Sequence, residues 1–529
     1  MKIQVFDTTL RDGAQGFGIA FTEHDKLKII KSLDSLGVDS IEIGNFSLAE
    51  DRRLFEAAAK LSLSSAELVM FGATRYPNTK CEDNEMLMLA AASPIGTVTV
   101  FGKAHLAHVY DILRTTPEEN LAMIRDTVSF FVKAGKKVYF DAEHFFNGYS
   151  DSAPYALEVL KTALDAGASA VVLCDTNGDM LPDIIGMVTE RVVSEFPEAT
   201  VGIHCHNDLG MAVACTLSGV LGGASQVQVT VSGIGERCGN ANLATVVPLL
   251  QLKLGYQLIP EDKLSRLTSV SRYVNEIANR SFDESEPFVG GSAFTHKAGM
   301  HVDAVYKNPS SFEHMDPSLV GNERNILVTS LSGKSAILAK LQEILPELTK
   351  DSPIVADAVD TVKRLEAEGY RFEDAEASLS LRLREVIEGE RFNPFFELKN
   401  FRVMISESQS ETEPLCTAQI KIAVGGTDEI TAAEGEGPVN ALDLALRKAL
   451  IRFYPSISGI RLCDYKVRVL DSGSNTASKV LVRVSTTDSN ALWRTVGVST
   501  DIIDASWQAL SDSMVYFLQM AYNDVKPKG

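Results

Sequence analysis

Within the first ~230 residues, eight short apolar runs alternate with longer amphipathic segments, a pattern that restricts the fold more than any other feature of the chain. The runs predict strands over Ile3–Thr8, Ser40–Ile43, Leu68–Ala73, Thr97–Phe101, Lys137–Ala142, Ala170–Cys174, Thr200–His204 and Gln226–Val231. Helices are predicted between them over Glu23–Leu36, Glu50–Leu61, Glu118–Ala134, Tyr155–Ala166, Ile184–Glu195 and Met211–Gly222. Several of these close at a glycine (Gly37, Gly135, Gly167, Gly222), the residue best suited to a C-terminal cap. Strand alternating with helix implies parallel pairing through crossovers. The even spacing, and the absence of a dinucleotide fingerprint after the first strand, favour an α/β fold of the (β/α)8 TIM-barrel type over an open doubly wound sheet. Gly233-Ile234-Gly235-Glu236-Arg237-Cys238 matches a G-x-G-x-x-G turn only in part and follows the last strand, so it carries little weight as a nucleotide motif.

Chemistry in such barrels sits at the C-terminal ends of the strands, and polar residues gather there. Asp7, Arg11, Asp12 and Gln15 follow strand one; Glu42 and Asn45 end strand two; Thr74 and Arg75 end strand three; His105 lies past strand four. Glu143 and His144 end strand five, Asp175, Thr176 and Asn177 end strand six, His204 and His206 end strand seven, and Glu236, Arg237 and Asn240 follow strand eight. Histidines two apart on a strand place both imidazoles on one face, about 7 Å apart along the chain. Taken alone, the pair fits a core histidine beside a solvated one as well as it fits a metal site. With Asp12 it offers one carboxylate and two imidazoles, a set that suits Mg, Mn, Fe or Zn and leaves positions open for a 2-oxo acid. Asn240 would add a neutral oxygen. Arg11 would offset alkoxide charge during carbon–carbon bond formation, or form an ion pair with a carboxylate such as Glu143. Hydrolytic metal barrels also use H-x-H, but there the pair is expected on the first strand.

An acidic, Gly/Pro-bearing stretch from Asp283 to Gly291 reads as an exit linker, leading to a segment with two histidines, His296 and His301. Helical patterns follow near Ser335–Ile344, Ile354–Glu368 and Glu373–Ile387. The C-terminal part turns to strands over Ala418–Val424 and Ile430–Ala433 and a helix over Pro438–Ile451. A similar plan recurs about 63 residues later over Lys479–Ser485, Trp493–Val498 and Asp501–Gln519, as an internal duplication would produce. Expected, then, are a barrel over residues 1–282, a linker with helical subdomains over 283–393, and an α+β ligand-binding or dimerising domain over 394–529.

The formal charge of −20 argues against binding nucleic acid through its phosphates. No apolar run approaches the ~18 residues of a membrane span, and the first residues lack the apolar core of a secretory signal, so a cytoplasmic protein is expected. The seven cysteines form no C-x-x-C pair and indicate neither a zinc ribbon nor a disulfide framework.

Three long segments, Asp7-Thr8-Thr9-Leu10-Arg11-Asp12-Gly13-Ala14-Gln15, His204-Cys205-His206-Asn207-Asp208 and Gly233–Ala241, resemble motifs of the 2-isopropylmalate, homocitrate and citramalate synthase family. Phe294–Asp303, Glu313-His314-Met315-Asp316-Pro317 and the final domain resemble that family's linker and regulatory domain, so the resemblance covers nearly the whole chain. Within the family, Phe140–Tyr149, Gly235–Leu243 and Pro287–Ala304 are most similar to the longer members that condense acetyl-CoA with pyruvate. The resemblance implies that acyltransfer, giving (R)-citramalate and CoA for isoleucine synthesis. The rivals are 2-oxoisovalerate as acceptor, a lyase running the reverse cleavage, and an amino-acid sensor with a silent barrel.

It further implies a divalent metal (Mg, Mn or Zn) on Asp12, His204 and His206 with Asn240 beside it, and Arg11 as the polarising cation. Thr176 would contact the oxo-acid carboxylate, Glu42 and Glu143 would line the pocket, and His105 is a further candidate there. His301 would take the acetyl-CoA methyl proton, oriented by Asp303. A homodimer in which this linker reaches the partner's barrel, and an isoleucine or leucine effector at the C-terminal domain, complete the expectation.

Overall fold

Eight parallel strands close into a barrel in sequence order, β1 (Gln4–Asp7), β2 (Ser40–Asn45), β3 (Glu67–Ala73), β4 (Thr97–Lys103), β5 (Lys137–Glu143), β6 (Ala170–Asp175), β7 (Thr200–Cys205) and β8 (Gln226–Val229). The (β/α)8 expectation holds strand for strand. The seam is the β1–β8 pair, in register from Gln4 opposite Gln226 to Asp7 opposite Val229. The computed structural model describes residues 1–297, 299–326, 334–373, 375–406, 415–470, 478–488 and 491–523; Ala298, inside the Phe294–Asp303 segment, lies outside them.

The barrel interior is filled rather than hollow. Phe6, Val69, Tyr139 and Ala170 form one buried layer, with the Phe6 and Tyr139 rings edge to face at 5.6 Å. Outside the strands, helix Glu23–Leu36 shows how local sequence sets an element. Thr22 and Asp25 form a capping box at its start, Ile29, Ile30, Leu33 and Leu36 supply the buried stripe, and Gly37 ends it at φ 94°. The glycine expectation shifts at one place: Gly222 keeps right-handed backbone, and its neighbour Gly223 takes the turn at φ 106°. The helix foreseen from Tyr155 starts at Phe145 and is kinked at Ser152, two residues before Pro154, whose missing N–H interrupts the ladder. Two short helices, Glu85–Ala92 and Leu106–Asp111, were not foreseen because they are too short to show a helical period.

The chain divides into two units, one of residues 1–294 with 315–324, the other of residues 295–314 with 325–529. In the second, helices Lys334–Ile344, Pro353–Glu368 and Glu376–Glu388 share an apolar core that includes Ile337, Leu341, Val355, Val362 and Leu379. Two copies of a β-β-β-α motif follow: strands Glu397–Ser406, Leu415–Val424 and Thr427–Gly435 with helix Pro438–Ile451, then strands Arg461–Val469, Val480–Thr487 and Leu492–Ser499 with helix Ile502–Asn523. The duplication extends to detail. Leu398 and Leu462 mark matching register shifts, and the Thr431 hydroxyl donates to Ala445 O at 2.8 Å as the Thr495 hydroxyl does to Ala509 O at 2.6 Å. Helix Glu376–Glu388 is tied into this fold by a buried cluster in which Ser378 Oγ donates to Asp512 at 2.7 Å and accepts from Val496 N at 3.0 Å, while Arg382 pairs with the other Asp512 oxygen. Among the described residues no helix is long and apolar enough to cross a membrane.

Candidate active site

The turn after β1 is built by Asp7, whose carboxylate accepts from Thr9 N at 3.0 Å and from Thr9 Oγ1 at 2.9 Å. That turn carries Arg11 and Asp12 to the barrel's C-terminal end. Opposite, β7 presents His204 and His206 on one face, their Nε2 atoms 3.3 Å apart and 3.8 and 4.0 Å from Asp12 Oδ2. Asp12, His204 and His206 are all buried, and one donor atom from each lies within 4.8 Å of the others.

Asn240 reaches the same point from the β8 loop. Its Nδ2 donates to Asp12 Oδ1 at 2.8 Å and to Ile234 O at 3.1 Å, leaving Oδ1 buried without a partner. The loop permits this only because Gly235 has no side chain, since a Cβ there would stand 2.2 Å from Asn240 Nδ2.

Electrostatics prepare the set for a cation. Burial opposes ionisation of Asp12, but Arg11, the two histidines and Asn240 outweigh it and hold the carboxyl below the usual carboxylate range. Burial, then the neighbouring imidazole, lowers His204 to about 3, and burial likewise lowers His206. Two neutral imidazoles, one carboxylate and an orphaned amide oxygen are a donor set that suits a divalent metal.

Arg11 Nη1 donates to Asp12 Oδ2 at 2.8 Å and Nε to Glu42 Oε2 at 2.5 Å, while its guanidinium carbon lies 3.8 Å from the centre of the Phe71 ring, itself stacked on Phe101 at 5.1 Å. The expected ion-pair partner is thus corrected. Arg11 binds Glu42 and Asp12, whereas Glu143 pairs with Lys103 at 2.5 Å. Glu42 is fully buried, and burial raises its pKa in spite of Arg11.

At the rim, Thr176 Oγ1 accepts from His144 N at 2.9 Å, which leaves the hydroxyl proton free to donate. His105 Nε2 meets Asp151 at 2.5 Å, and the rings of His105, His108 and His144 form a row with centroid spacings of 5.1 and 4.0 Å. His301 and Asp303 belong to the second unit. His301 is exposed, with its ring 4.2 Å from that of Phe312, and Asp303 is held by Lys307 at 2.6 Å. Positions two apart on a helix diverge, so the Asp303 carboxylate serves Lys307 and Ser335 rather than the imidazole it was expected to orient.

Sequence reading missed two residues beneath the ligands. His204 Nδ1 lies 2.8 Å from Gln228 Oε1, and Gln228 Nε2 donates to Asp141 Oδ1 at 3.1 Å. Their polar character is visible in the sequence of β5 and β8, but the face of the strand they occupy is not.

Residues 2–274 match the HMGL-like family model, residues 288–369 the homocitrate synthase post-HMGL domain-like model, and residues 374–518 the LeuA allosteric (dimerisation) domain model. The barrel is therefore of the HMGL-like class. Over 520 residues the chain is 45% identical to the (R)-citramalate synthase of Aquifex aeolicus (strain VF5), covering 98% of each protein. It is 44% identical over 519 residues to that of Geobacter sulfurreducens, covering 98% of this chain and 97% of the other. A probable 2-isopropylmalate synthase of Methanopyrus kandleri is 32% identical over 524 residues, covering 96% of this chain and 97% of the other. The chain belongs to the citramalate synthase family, within the wider group of 2-isopropylmalate and homocitrate synthases.

Proposed function

We propose that this chain is an (R)-citramalate synthase, an acyltransferase that joins acetyl-CoA to pyruvate and hydrolyses the resulting acyl-CoA to citramalate and CoA in isoleucine biosynthesis. The observation that carries the reading is the clustering of neutral His204 and His206 with ionised Asp12 and Arg11 at the barrel mouth. A divalent cation on Asp12, His204 and His206, with Asn240 beside it, supplies Lewis-acid polarisation of the 2-oxo acid when bound; one carboxylate and two imidazoles suit Mg, Mn or Zn.

The protein's own groups do the rest. Thr176 donates its hydroxyl proton to the pyruvate carboxylate, and Glu42 and Glu143 line the pocket with His105. His301 removes a proton from the acetyl-CoA methyl group, and the enolate carbon bonds to the pyruvate ketone carbon. As that bond forms the C=O π pair moves onto the ketone oxygen, Arg11 sets positive charge beside it, and the oxygen takes back the proton removed from the methyl group to become the tertiary hydroxyl. Water then cleaves the thioester, leaving a carboxylate and the CoA thiol. A homodimer assembled through the C-terminal domain, in which His301 serves the partner's barrel, with isoleucine or leucine as effector, a cytoplasmic setting and the division at 282 and 393, completes the proposal.

Free CoA release with pyruvate, 2-oxobutyrate, 2-oxoisovalerate and 2-oxoglutarate tests it. Pyruvate is expected to be preferred. Preference for 2-oxoisovalerate would instead support a 2-isopropylmalate synthase, and no release with any acid plus divalent metal would support a sensor. H206A is expected to abolish metal-dependent turnover.

A further inference from the structure

Both ring nitrogens of an imidazole can bind a metal, and which one does is set by what the other touches. Around His204 that choice passes through two residues with no direct part in the site. Gln228 on β8 and Asp141 on β5 are buried at 1% and 4% exposure, and with His204 they form a chain: His204 Nδ1 to Gln228 Oε1 at 2.8 Å, then Gln228 Nε2 to Asp141 Oδ1 at 3.1 Å.

We infer that Gln228, oriented by Asp141, is a positioning residue that commits His204 to one tautomer. Asp141 presents Oδ1 to Gln228 as an acceptor, whether its carboxyl is ionised or protonated on Oδ2, so the Gln228 amide turns its NH2 toward Asp141 and its carbonyl oxygen toward His204. A carbonyl oxygen also only accepts, so His204 must carry its proton on Nδ1. Nε2 is then left with a lone pair aimed at Asp12 and His206, 3.8 and 3.3 Å away. With the amide reversed, NH2 would face Nδ1 and the proton would move to Nε2, where it would block the ligand position. Asp141 thus decides, through an amide, which nitrogen of a histidine on another strand can bind.

This inference rests on the metal reading of Asp12, His204 and His206 and deepens it. The test reads metal binding without substrate: Co2+ affinity of the full-length metal-free chain by chelator competition, with the visible absorption of the Co2+ site as the signature. Q228L is expected to weaken binding ~10–100-fold and alter the spectrum, in line with losses for outer-shell partners of metal ligands. Because Q228L puts an apolar group opposite a carboxylate and can fail to fold, a reciprocal swap stands beside it.

Q228E alone sets two carboxylates against each other. The added D141N lets Asn Nδ2 donate to the new carboxylate, which still accepts from His204 Nδ1, so the double variant is expected to recover affinity to within ~3-fold of wild type with the native spectrum. A double variant as weak as Q228E, or a folded Q228L that binds Co2+ as wild type does, would overturn the inference. A wild-type chain that binds no Co2+ would overturn the metal reading along with it. Co2+ binding without CoA release would count against the synthase reading alone.

Discussion

Arg11 lies with its guanidinium carbon 3.8 Å above the ring of Phe71. The stacking fixes the plane of the guanidinium so that Nε reaches Glu42 and Nη1 reaches Asp12, and the charge is placed before any substrate arrives. A lysine has neither the plane nor the fork. R11K is therefore expected to lower kcat on the order of 10²–10³-fold in the CoA-release assay. R11Q leaves Glu42 buried without a counter-charge and is expected to cost roughly 3–5 kcal/mol of stability, seen as a fall in Tm; R11Q/E42Q should recover the stability and not the activity.

The Asn240 amide occupies the space that a side chain at position 235 would need. G235A is expected to displace Asn240 from Asp12 and weaken divalent-metal affinity roughly tenfold, the lower end for such partners, with the far-UV circular dichroism unchanged. Affinity equal to wild type would remove Asn240 from the ligand set.

The metal-free chain has a pH dependence of definite sign. Burial raises Asp7 to about 7 and Asp141 to about 8 from 3.8, so the folded chain holds protons that the unfolded chain releases. Their contribution is complete below about pH 4 and is lost as pH rises through 7 and 8. His204, lowered to about 3 from 6.5, acts in the opposite sense, contributing above 6.5 and losing its contribution as pH falls toward 3. Above pH 6.5 the two raised carboxyls set the sign, so denaturant midpoints should fall between pH 6.5 and 8. D7N and D141N should each flatten that slope, and an unchanged slope in both would refute the assignment.

Helix Glu376–Glu388 carries Ser378 and Arg382 to Asp512 on the final helix. A chain ending at residue 390 keeps the helix and loses Asp512, which takes the acceptor from the buried Ser378 hydroxyl and leaves Arg382 with Glu385 alone. It is expected to aggregate, as is a chain ending at residue 373, which strips Leu379 from the core it shares with Ile337, Leu341, Val355 and Val362; light scattering of the two purified chains checks this.

How much of this was legible in the sequence varied with the signal each residue carries. Asp12, His204 and His206 were legible because ligand-type side chains at strand ends stand out against an apolar background, and the barrel because its two periods are clear. Gln228 and Asp141 were not, because a polar residue inside a strand gives no sign of whether it faces the barrel interior or the helices. The first strand of each C-terminal repeat, Glu397–Ser406 and Arg461–Val469, also gave no strand pattern over its full length, since a register shift near its start, between Leu398 and Asn400 or Leu462 and Asp464, interrupts the alternation that marks a strand. The partner of Arg11 depended on the turn built by Asp7, a tertiary detail that spacing does not encode.

The hydrogen bond between Asp12 and Asn240 joins residues 228 positions apart, across the seam where β1 meets β8. Closing that seam fixes the longest loop in the barrel, the pairing that connectivity favours least and folding reaches late. The candidate ligands straddle it, Asp12 on one side and His204, His206 and Asn240 on the other. A cation bound there would clasp the barrel shut, adding about 2.7 kcal/mol at a free concentration one hundred times its Kd. Metal uptake would then report, during refolding, the moment at which the first and last strands meet.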